Sequence, residues 1–153
     1  TIVVFKDFEC PFCQKTYTDF KKITEKYSGV IRIVFKHLPV STIHPNAMDA
    51  SIAATCAEEQ NKFWQYYDLL FTQKNLNQNA YLEYANILNL DITKFQKCIS
   101  NQTYMKNILA DMKDSEELNL RGTPSYIINN KKIEGALPAN TWDQLIIAAL
   151  QQQ

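Results

Sequence analysis

Cys10 and Cys13, in the segment "FECPFC", are the residues of this sequence best suited to carry out chemistry. A cysteine pair with two residues between its members can bind zinc, form a structural disulfide bond or act as a redox centre. A zinc site needs further ligands at close spacing, and the other cysteines and histidines are scattered: Cys56, Cys98, His37 and His44. The redox centre is therefore favoured, with the other two kinds of site as alternatives.

The segments on either side of the pair predict where it lies. "TIVVFKDF" is rich in β-branched and aromatic residues and predicts a buried strand. "QKTYTDFKKITEKYSG" predicts a helix, because Phe20, Ile23 and Tyr27 fall near one helical face. Gly29 is placed where this helix would end. Cys10 then lies at a helix N-terminus, where unpaired N–H groups and the helix dipole stabilise a thiolate.

Pro11 and Cys13 fit the same interpretation. Pro11 suits the first turn of a helix, where the missing N–H of proline loses no partner. Cys13 lies one turn further along on the same side, so it is close enough to form a disulfide bond with Cys10. We expect Cys10 to be the nucleophile and Cys13 to be the more buried, resolving thiol.

The order of the remaining elements predicts an α/β fold. "VIRIVFKHLP" predicts a second strand, parallel to the first because a helix joins the two. From His44 to about Leu120 the pattern is almost wholly helical, and Asp91 can cap one of these helices. "PSYIINNKKIEG" predicts a hairpin, and a last helix ends at Leu150. The expected order is βαβ, a helical block and then ββα, in a single domain over residues 1–153.

Charge and composition exclude several classes of protein. The 153 residues include 16 basic and 16 acidic side chains, so no net charge attracts nucleic acid. Hydrophobic residues make up 46% of the chain, which suits a packed core. The longest apolar run, Leu145 to Leu150, is too short to span a bilayer. Because the sequence begins at Thr1 without Met, we expect a mature or trimmed product whose export signal has been removed.

A second feature, "RGTPSYII", places Pro124 just before a predicted strand. An ordinary proline can open an edge strand, and this is the alternative interpretation. Together with the cysteine pair, the segment favours a cis Thr123–Pro124 peptide bond, which is a specific feature where it occurs. Such a bond near the cysteines would leave the backbone of Thr123 open to an extended peptide.

Four segments together resemble the DsbA-like thiol–disulfide oxidoreductases of the thioredoxin superfamily: "VVFKDFECPFC", "HLPVSTIHPNA", "EEQNKFWQYYDLLF" and "RGTPSYIINNKKIEGALP". The resemblance implies a thioredoxin-like fold with a helical insertion at about residues 42–119. It also implies a nucleophile at Cys10, a resolving thiol at Cys13 and a cis proline at Pro124. Members of the family act outside the cytoplasm, chiefly in the bacterial periplasm, and exchange disulfide bonds with folding proteins.

The resemblance sets the expected partners as well. The substrates are unfolded or folding proteins with cysteines, held in an apolar groove that Pro11, Phe12 and Thr123 help to form. No cofactor and no metal are needed, but a redox partner must reset the cysteine pair, and a membrane protein is one candidate for that role. We expect a monomer that binds no nucleic acid.

Two residues depart from the strongest oxidases of the family. Phe12 stands where some members have a histidine that stabilises the thiolate, so we expect a Cys10 pKa above the lowest in the class. Thr123 precedes the proline as in the disulfide isomerase branch, although we expect no N-terminal dimerisation domain of the kind that those enzymes carry. The expectation is a monomeric oxidase. A disulfide isomerase or reductase is one alternative, and a copper-binding or chaperone module is another.

Two further predictions concern Asp7 and the distant cysteines. Asp7 could relay a proton to Cys13, or it could simply cap the following helix. In an oxidising compartment Cys56 and Cys98 are expected to form a structural disulfide bond. The alternative is a pair of buried free thiols that act as small hydrophobic side chains.

Overall fold

The computed structural model describes residues 1–151. Within this range four strands form: β1 (Ile2–Lys6), β2 (Ile33–His37), β3 (Ser125–Ile128) and β4 (Lys131–Glu134). Eight helices form over the same residues: α1 (Pro11–Lys15), α2 (Tyr17–Lys26), α3 (Ala47–Glu58), α4 (Phe63–Gln73), α5 (Gln78–Ile87), α6 (Ile92–Asn101), α7 (Met105–Glu117) and α8 (Ala139–Leu150). The predicted order of βαβ, a helical block and ββα is confirmed.

The strands make one mixed sheet in the order β2-β1-β3-β4. β1 runs parallel to β2, with Ile2 opposite Ile33 and Lys6 opposite His37. β3 runs antiparallel to both β1 and β4. Because β1 and β2 are parallel, their carboxyl ends meet at one edge of the sheet. The chain leaves β1 at this edge and enters α1, which places Cys10 there.

Two apolar cores pack against the sheet and between the helices. One is shared by β1, β3, α2 and α8: Ile2, Val4, Phe20, Tyr126 and Trp142. Its rings meet closely, with 4.7 Å between the ring centres of Tyr126 and Trp142. The other core joins α1 to the helical block between β2 and β3, and it contains Cys10 and Cys13. The cysteine pair is therefore held by packed side chains and not by a free loop.

The helix after the cysteine pair is interrupted, although the sequence pattern predicts a continuous one. α1 ends at Lys15 and α2 begins at Tyr17, with Thr16 between them. The Thr16 hydroxyl donates to the carbonyl of Phe12 at 2.9 Å, and the Thr16 N–H donates to the same carbonyl. A threonine that bonds back to the preceding turn in this way bends a helix. The prediction of one continuous helix is wrong at this residue.

The later elements follow the predicted turn and cap chemistry. The carboxylate of Asp91 caps α6 by accepting from the N–H of Lys94 at 2.9 Å. The predicted hairpin forms between β3 and β4, and Asn129 and Asn130 have φ angles of 44° and 66° in its turn. Asparagine tolerates this left-handed region better than most residues, which is why the pair suits a tight turn.

Candidate active site

Cys10 lies at the N-terminus of α1. Its backbone is extended, with φ of −64° and ψ of 121°, and Pro11 follows as the first residue of the helix. The Cys10 side chain is largely covered, and its thiol donates to the backbone carbonyl of Thr123 at 3.4 Å. The N–H groups of Phe12 and Cys13 face the Cys10 sulfur and favour its negative charge. The start of the helix therefore supports a thiolate at this position.

Cys13 lies one turn further along α1 and is fully buried. Both thiols are free, and the Cys13 thiol hydrogen-bonds to Cys10. This hydrogen bond is the main reason that the pKa of Cys10 is lowered to about 5, with burial acting against it. Burial raises the pKa of Cys13 well above its ordinary value, and the hydrogen bond to Cys10 raises it further. At neutral pH Cys10 is thus a thiolate and Cys13 a thiol.

The reduced protein should therefore show a thiolate that is lost as the pH falls through about 5, which ultraviolet thiolate absorbance can follow. Cys10→Ser should lack this transition. In Cys13→Ala the transition should move to higher pH, because the thiol that donates to Cys10 has been removed. A transition that stays near pH 5 in Cys13→Ala would show that the hydrogen bond does not set the Cys10 pKa.

An apolar groove runs beside the cysteine pair. Residues from α1, the segment before β3, the end of β4 and the segment after it line the groove: Phe12, Arg121, Gly122, Thr123, Glu134, Gly135 and Ala136. Phe12 is 61% exposed, and Pro11 also faces solvent. The Thr123–Pro124 peptide bond is cis, and Pro124 is buried. The structure thus brings Phe12 and Thr123 together next to Cys10.

Asp7 is fully buried, and its carboxylate has four polar partners. One carboxylate oxygen accepts from the N–H groups of Glu9 and Cys10 at 2.8 and 3.2 Å. The other accepts from the N–H of Val40 at 2.8 Å and lies 2.7 Å from Nδ1 of His44. These contacts fix the loop before Cys10 against the loop that follows β2. A proton relay through Asp7 stays a prediction.

The histidines do not combine with the cysteines into a metal site. Nδ1 of His44 is directed at Asp7. His37 is buried, and burial lowers its pKa to about 3, so that its ring is neutral. Across residues 1–151 no group of three or more His, Cys, Asp and Glu side chains is arranged to hold a metal ion.

Lys6 is a residue of the site that the sequence motifs do not reveal. It ends β1 and is completely buried. Its ammonium donates to the Tyr67 hydroxyl at 2.8 Å and lies 4.1 Å from the centre of the Phe20 ring. The sequence does carry a signal for it, because residues two apart along a strand point to the same face. Lys6 therefore shares the core face of Ile2 and Val4.

A disulfide bond joins Cys56 in α3 to Cys98 in α6, which is the expected pairing. Both cysteines are buried. The bond lies within the helical block and encloses α4 and α5 along the chain. In the described residues Cys10 and Cys13 remain as the free cysteines. The two pairs are therefore distinct: one links helices of the block, and the other lies at the groove.

A family model described as Thioredoxin matches residues 1–148. The chain belongs to the thioredoxin family. A solved thioredoxin-like oxidoreductase from Silicibacter pomeroyi DSS-3 has a TM-score of 0.86 and 20% identity, over 98% of this chain and 86% of that chain. The thiol-disulfide exchange protein alpha-DsbA2 from Wolbachia pipientis has a TM-score of 0.85 and 19% identity, over 96% and 80%. The catalytic domain of Proteus mirabilis ScsC has a TM-score of 0.83 and 22% identity, over 98% and 82%. The expected thioredoxin-like fold is confirmed.

Curated relatives of higher identity are much longer proteins. The Na(+)/H(+) antiporter NhaA 3 of Salinispora tropica is 33% identical over 88% of this chain and 21% of its own length. NhaA 1 of Salinispora arenicola is 31% identical over 89% of this chain and 21% of its own length. The chain therefore spans about a fifth of these relatives. Among residues 1–151, every helix is too short or too polar to cross a membrane.

Membership in the thioredoxin family favours a redox role for the cysteine pair. The pair is free, lies at the start of α1 and combines a thiolate with a buried thiol. These are the properties needed for exchange between thiols and disulfide bonds.

Proposed function

We propose that this chain is a thiol–disulfide oxidoreductase, and more closely a DsbA-like oxidase that passes its Cys10–Cys13 disulfide bond to folding proteins outside the cytoplasm. The observation that carries the proposal is the asymmetry of the pair. In the reduced form Cys10 is a stabilised thiolate beside an apolar groove, whereas Cys13 is a fully buried thiol. A disulfide bond whose reduced form is stabilised is readily given up, and this favours oxidation of the substrate.

The proposed reaction begins with the oxidised protein and a substrate thiolate. The substrate sulfur attacks Cys10 Sγ, a mixed disulfide forms, and Cys13 leaves with the electron pair of the broken bond. A second substrate thiolate then attacks the first substrate sulfur, which forms the substrate disulfide and releases Cys10 as a thiolate. The low pKa of Cys10 makes it a good leaving group in this second step. A redox partner afterwards accepts the two electrons and restores the Cys10–Cys13 bond.

The groove supports an unfolded protein as substrate. Phe12 presents an exposed apolar ring, and Pro11 beside it also faces solvent. Thr123 lines the same groove, and its carbonyl lies 3.4 Å from Cys10 Sγ. A peptide that lies along this surface would bring a cysteine to Cys10. We assign Pro11, Phe12 and Thr123 to peptide binding, with Pro124 holding the segment that carries Thr123.

The proposed location rests on the second cysteine pair. The Cys56–Cys98 disulfide bond is buried in the helical block and is distinct from the free pair Cys10 and Cys13. Structural disulfide bonds persist in oxidising compartments and are rare in the cytosol. A periplasmic or other extracytoplasmic location is therefore proposed, where substrates with unpaired cysteines and a recycling partner meet the protein.

The direction of electron flow is tested by the redox potential of the Cys10–Cys13 pair against glutathione. Because the Cys10 pKa of about 5 is lower than that of thioredoxin but above that of DsbA, we expect an oxidising potential. It should lie between about −120 mV, the value of DsbA, and about −180 mV, the value of protein disulfide isomerase. A potential near about −270 mV, the value of thioredoxin, would overturn the oxidase and favour a reductase.

Exchange itself is tested by oxidative folding of a reduced, unfolded protein. The oxidised wild type should form disulfide bonds in that protein, and Cys10→Ser should not. Cys13→Ser is the matched variant, because it keeps the nucleophile and removes the resolving thiol. With a substrate protein that already carries a disulfide bond, it should accumulate mixed disulfides visible by mass, because the Cys10 thiolate opens the substrate disulfide and no resolving thiol follows. Equal folding rates with the wild type and with Cys10→Ser would contradict the proposed role of Cys10.

A further inference from the structure

A pair of charged side chains lines the groove beside the cysteine pair. Arg121 and Glu134 lie there together with Thr123. Ser125 is paired with Glu134 between β3 and β4, which places Glu134 next to the segment that leads into β3. The Arg121 side chain is 87% exposed, whereas that of Glu134 is 21% exposed. The guanidinium is therefore the member of the pair that a bound peptide can reach more easily.

The carboxylate of Glu134 is held by Arg121. One of its oxygens accepts from the backbone N–H of Arg121 at 2.7 Å. The other accepts from Nε and Nη2 of the guanidinium at 3.3 and 3.1 Å. These hydrogen bonds hold the pKa of Glu134 below its ordinary value, so the carboxylate is charged at neutral pH. Both oxygens of Glu134 thus already have partners within the chain.

The guanidinium of Arg121 keeps hydrogen-bond donors that the chain does not use. A guanidinium carries five N–H groups in a planar fork. Two of these groups, on Nε and Nη2, are directed at Glu134. In the part of the chain that the structure describes, the other N–H groups have no acceptor. Because a guanidinium binds carboxylates through parallel hydrogen bonds, these donors suit a second carboxylate.

The charge around Glu134 is positive on balance. Lys132 also acts on this carboxylate, since its charge helps to lower the Glu134 pKa. Nζ of Lys132 donates to the carbonyls of Leu118 and Asn119 at 3.3 and 3.0 Å, at the end of α7. Lys132 is therefore held outside the lining of the groove. Two cations meet one carboxylate, which leaves the exposed Arg121 able to attract a ligand of negative charge.

Thr123 connects this charge to the reactive cysteine. Its carbonyl lies 3.4 Å from Cys10 Sγ, and Arg121 stands two residues before it. Two residues of extended chain span about 7 Å. A Cβ added at Gly122 would meet no atom within 4 Å apart from its chain neighbours, so the surface between Arg121 and Thr123 is open. In a peptide whose cysteine is joined to Cys10, a residue about two positions from that cysteine would therefore reach Arg121.

We propose that Arg121 selects substrates that carry an acidic residue about two positions from the reactive cysteine. The proposal rests on the proposed disulfide exchange at Cys10 and names a class of substrate for it. The substrate carboxylate accepts hydrogen bonds from the guanidinium while the substrate cysteine lies at Cys10. An ion pair at an exposed site adds modestly to affinity, but it does decide between similar substrates. A basic residue at the same place is repelled.

Three short peptides with blocked termini test this selection. They differ only at the positions two residues before and after a single cysteine: Gly-Asp-Ser-Cys-Ser-Asp-Gly, Gly-Asn-Ser-Cys-Ser-Asn-Gly and Gly-Lys-Ser-Cys-Ser-Lys-Gly. Each cysteine is activated as a mixed disulfide with thionitrobenzoate. The Cys10 thiolate of the reduced protein attacks the peptide sulfur, and thionitrobenzoate leaves with the electron pair of the broken bond. Cys13 then displaces the peptide as a thiolate. The visible absorbance of the released thionitrobenzoate gives the rate of the first step.

The measured quantity is the rate with the Asp peptide divided by the rate with the Asn peptide. Charges beside the peptide sulfur also change its own reactivity, but this effect cancels when the same ratio is compared between variants. The ratio should be about 5-fold higher in the wild type than in Arg121→Gln. The ratio of the Lys peptide to the Asn peptide should be lower in the wild type by a similar factor. Arg121→Lys keeps the charge without the fork of donors, so its ratios should lie between the two.

Lys132→Gln is the matched control, because it removes one positive charge from β4 outside the groove. Its Asp-to-Asn ratio should stay within about 2-fold of the wild-type ratio. Added salt should lower the wild-type ratio, since ions screen a pair of exposed charges. A wild-type ratio that does not change between low and high salt would contradict an ion pair with Arg121.

The outcomes keep the role of Arg121 separate from the proposed exchange at Cys10. A wild type that releases no thionitrobenzoate from any of the peptides would refute the exchange, and the role of Arg121 with it. A wild type that reacts with all three peptides, with the same Asp-to-Asn ratio as Arg121→Gln, would overturn only the role of Arg121. Equal loss of the preference in Arg121→Gln and Lys132→Gln would also overturn it, because net charge and not the groove residue would then select the substrate.

Discussion

Removal of the Cys56–Cys98 disulfide bond should lower the free energy of unfolding by about 4 kcal/mol, on the chain-entropy estimate for its loop. The bond joins residues separated by 42 positions and ties α3 to α6. Without it, the unfolded chain regains the conformational freedom of the segment that carries α4 and α5. Urea unfolding of Cys56→Ala/Cys98→Ala against the wild type measures the loss.

Single variants supply the control for this prediction. Cys56→Ala and Cys98→Ala each break the same cross-link, so each should lose about as much stability as the double variant. If packing of the two sulfurs mattered more than the cross-link, the losses of the single variants would add up in the double variant. A double variant within about 1 kcal/mol of wild type would show that the bond contributes little. The Cys10 thiolate transition should be unchanged in all three, because the bond joins α3 to α6 and leaves α1 intact.

The fold follows from local patterns that act over a few residues. The β-branched and aromatic run of β1, the paired asparagines of the hairpin and the cap at Asp91 each specify one element. The parallel pairing of β1 and β2 follows from the helix between them. Thr16 marks the limit of such patterns. Its apolar neighbours continue the helical period, and only the bond from its hydroxyl to Phe12 reveals the bend.

The site was less predictable, because its decisive contacts join distant parts of the chain. The cysteine spacing and the Thr123–Pro124 segment mark the reactive pair and the groove. Two of the four polar partners of Asp7, Val40 and His44, lie 33 and 37 positions away, and no local motif indicates them. Lys6 and Tyr67 are 61 positions apart. The strand period does place Lys6 on the core face, but it does not show what a buried lysine meets there.

Removal of the buried charge at Lys6 should stabilise the protein. The pKa of Lys6 is about 8 in the folded protein and 10.5 as its ordinary value in the unfolded chain. Between these values the unfolded state binds more protons, so the contribution of Lys6 to stability rises with pH. Below a pH of about 8 the whole penalty is present, and it amounts to about 3 kcal/mol at about 1.4 kcal/mol for each pKa unit. Above a pH of about 10.5 the penalty is gone.

The variant that isolates this penalty is Lys6→Met/Tyr67→Phe, measured in the reduced protein. Lys6→Met alone leaves the buried Tyr67 hydroxyl without its partner, which offsets about 1–3 kcal/mol of the gain. The double variant removes both polar groups, so at neutral pH it should exceed the wild type by up to about 3 kcal/mol. Its advantage should shrink as the pH rises from about 8 to 10.5, since the wild-type amine becomes neutral over that range. If the advantage of the double variant stays constant over this pH range, burial does not lower the pKa of Lys6 in the folded protein. Lys6 would then have an ordinary pKa in the folded protein, and its burial would carry no penalty that depends on pH.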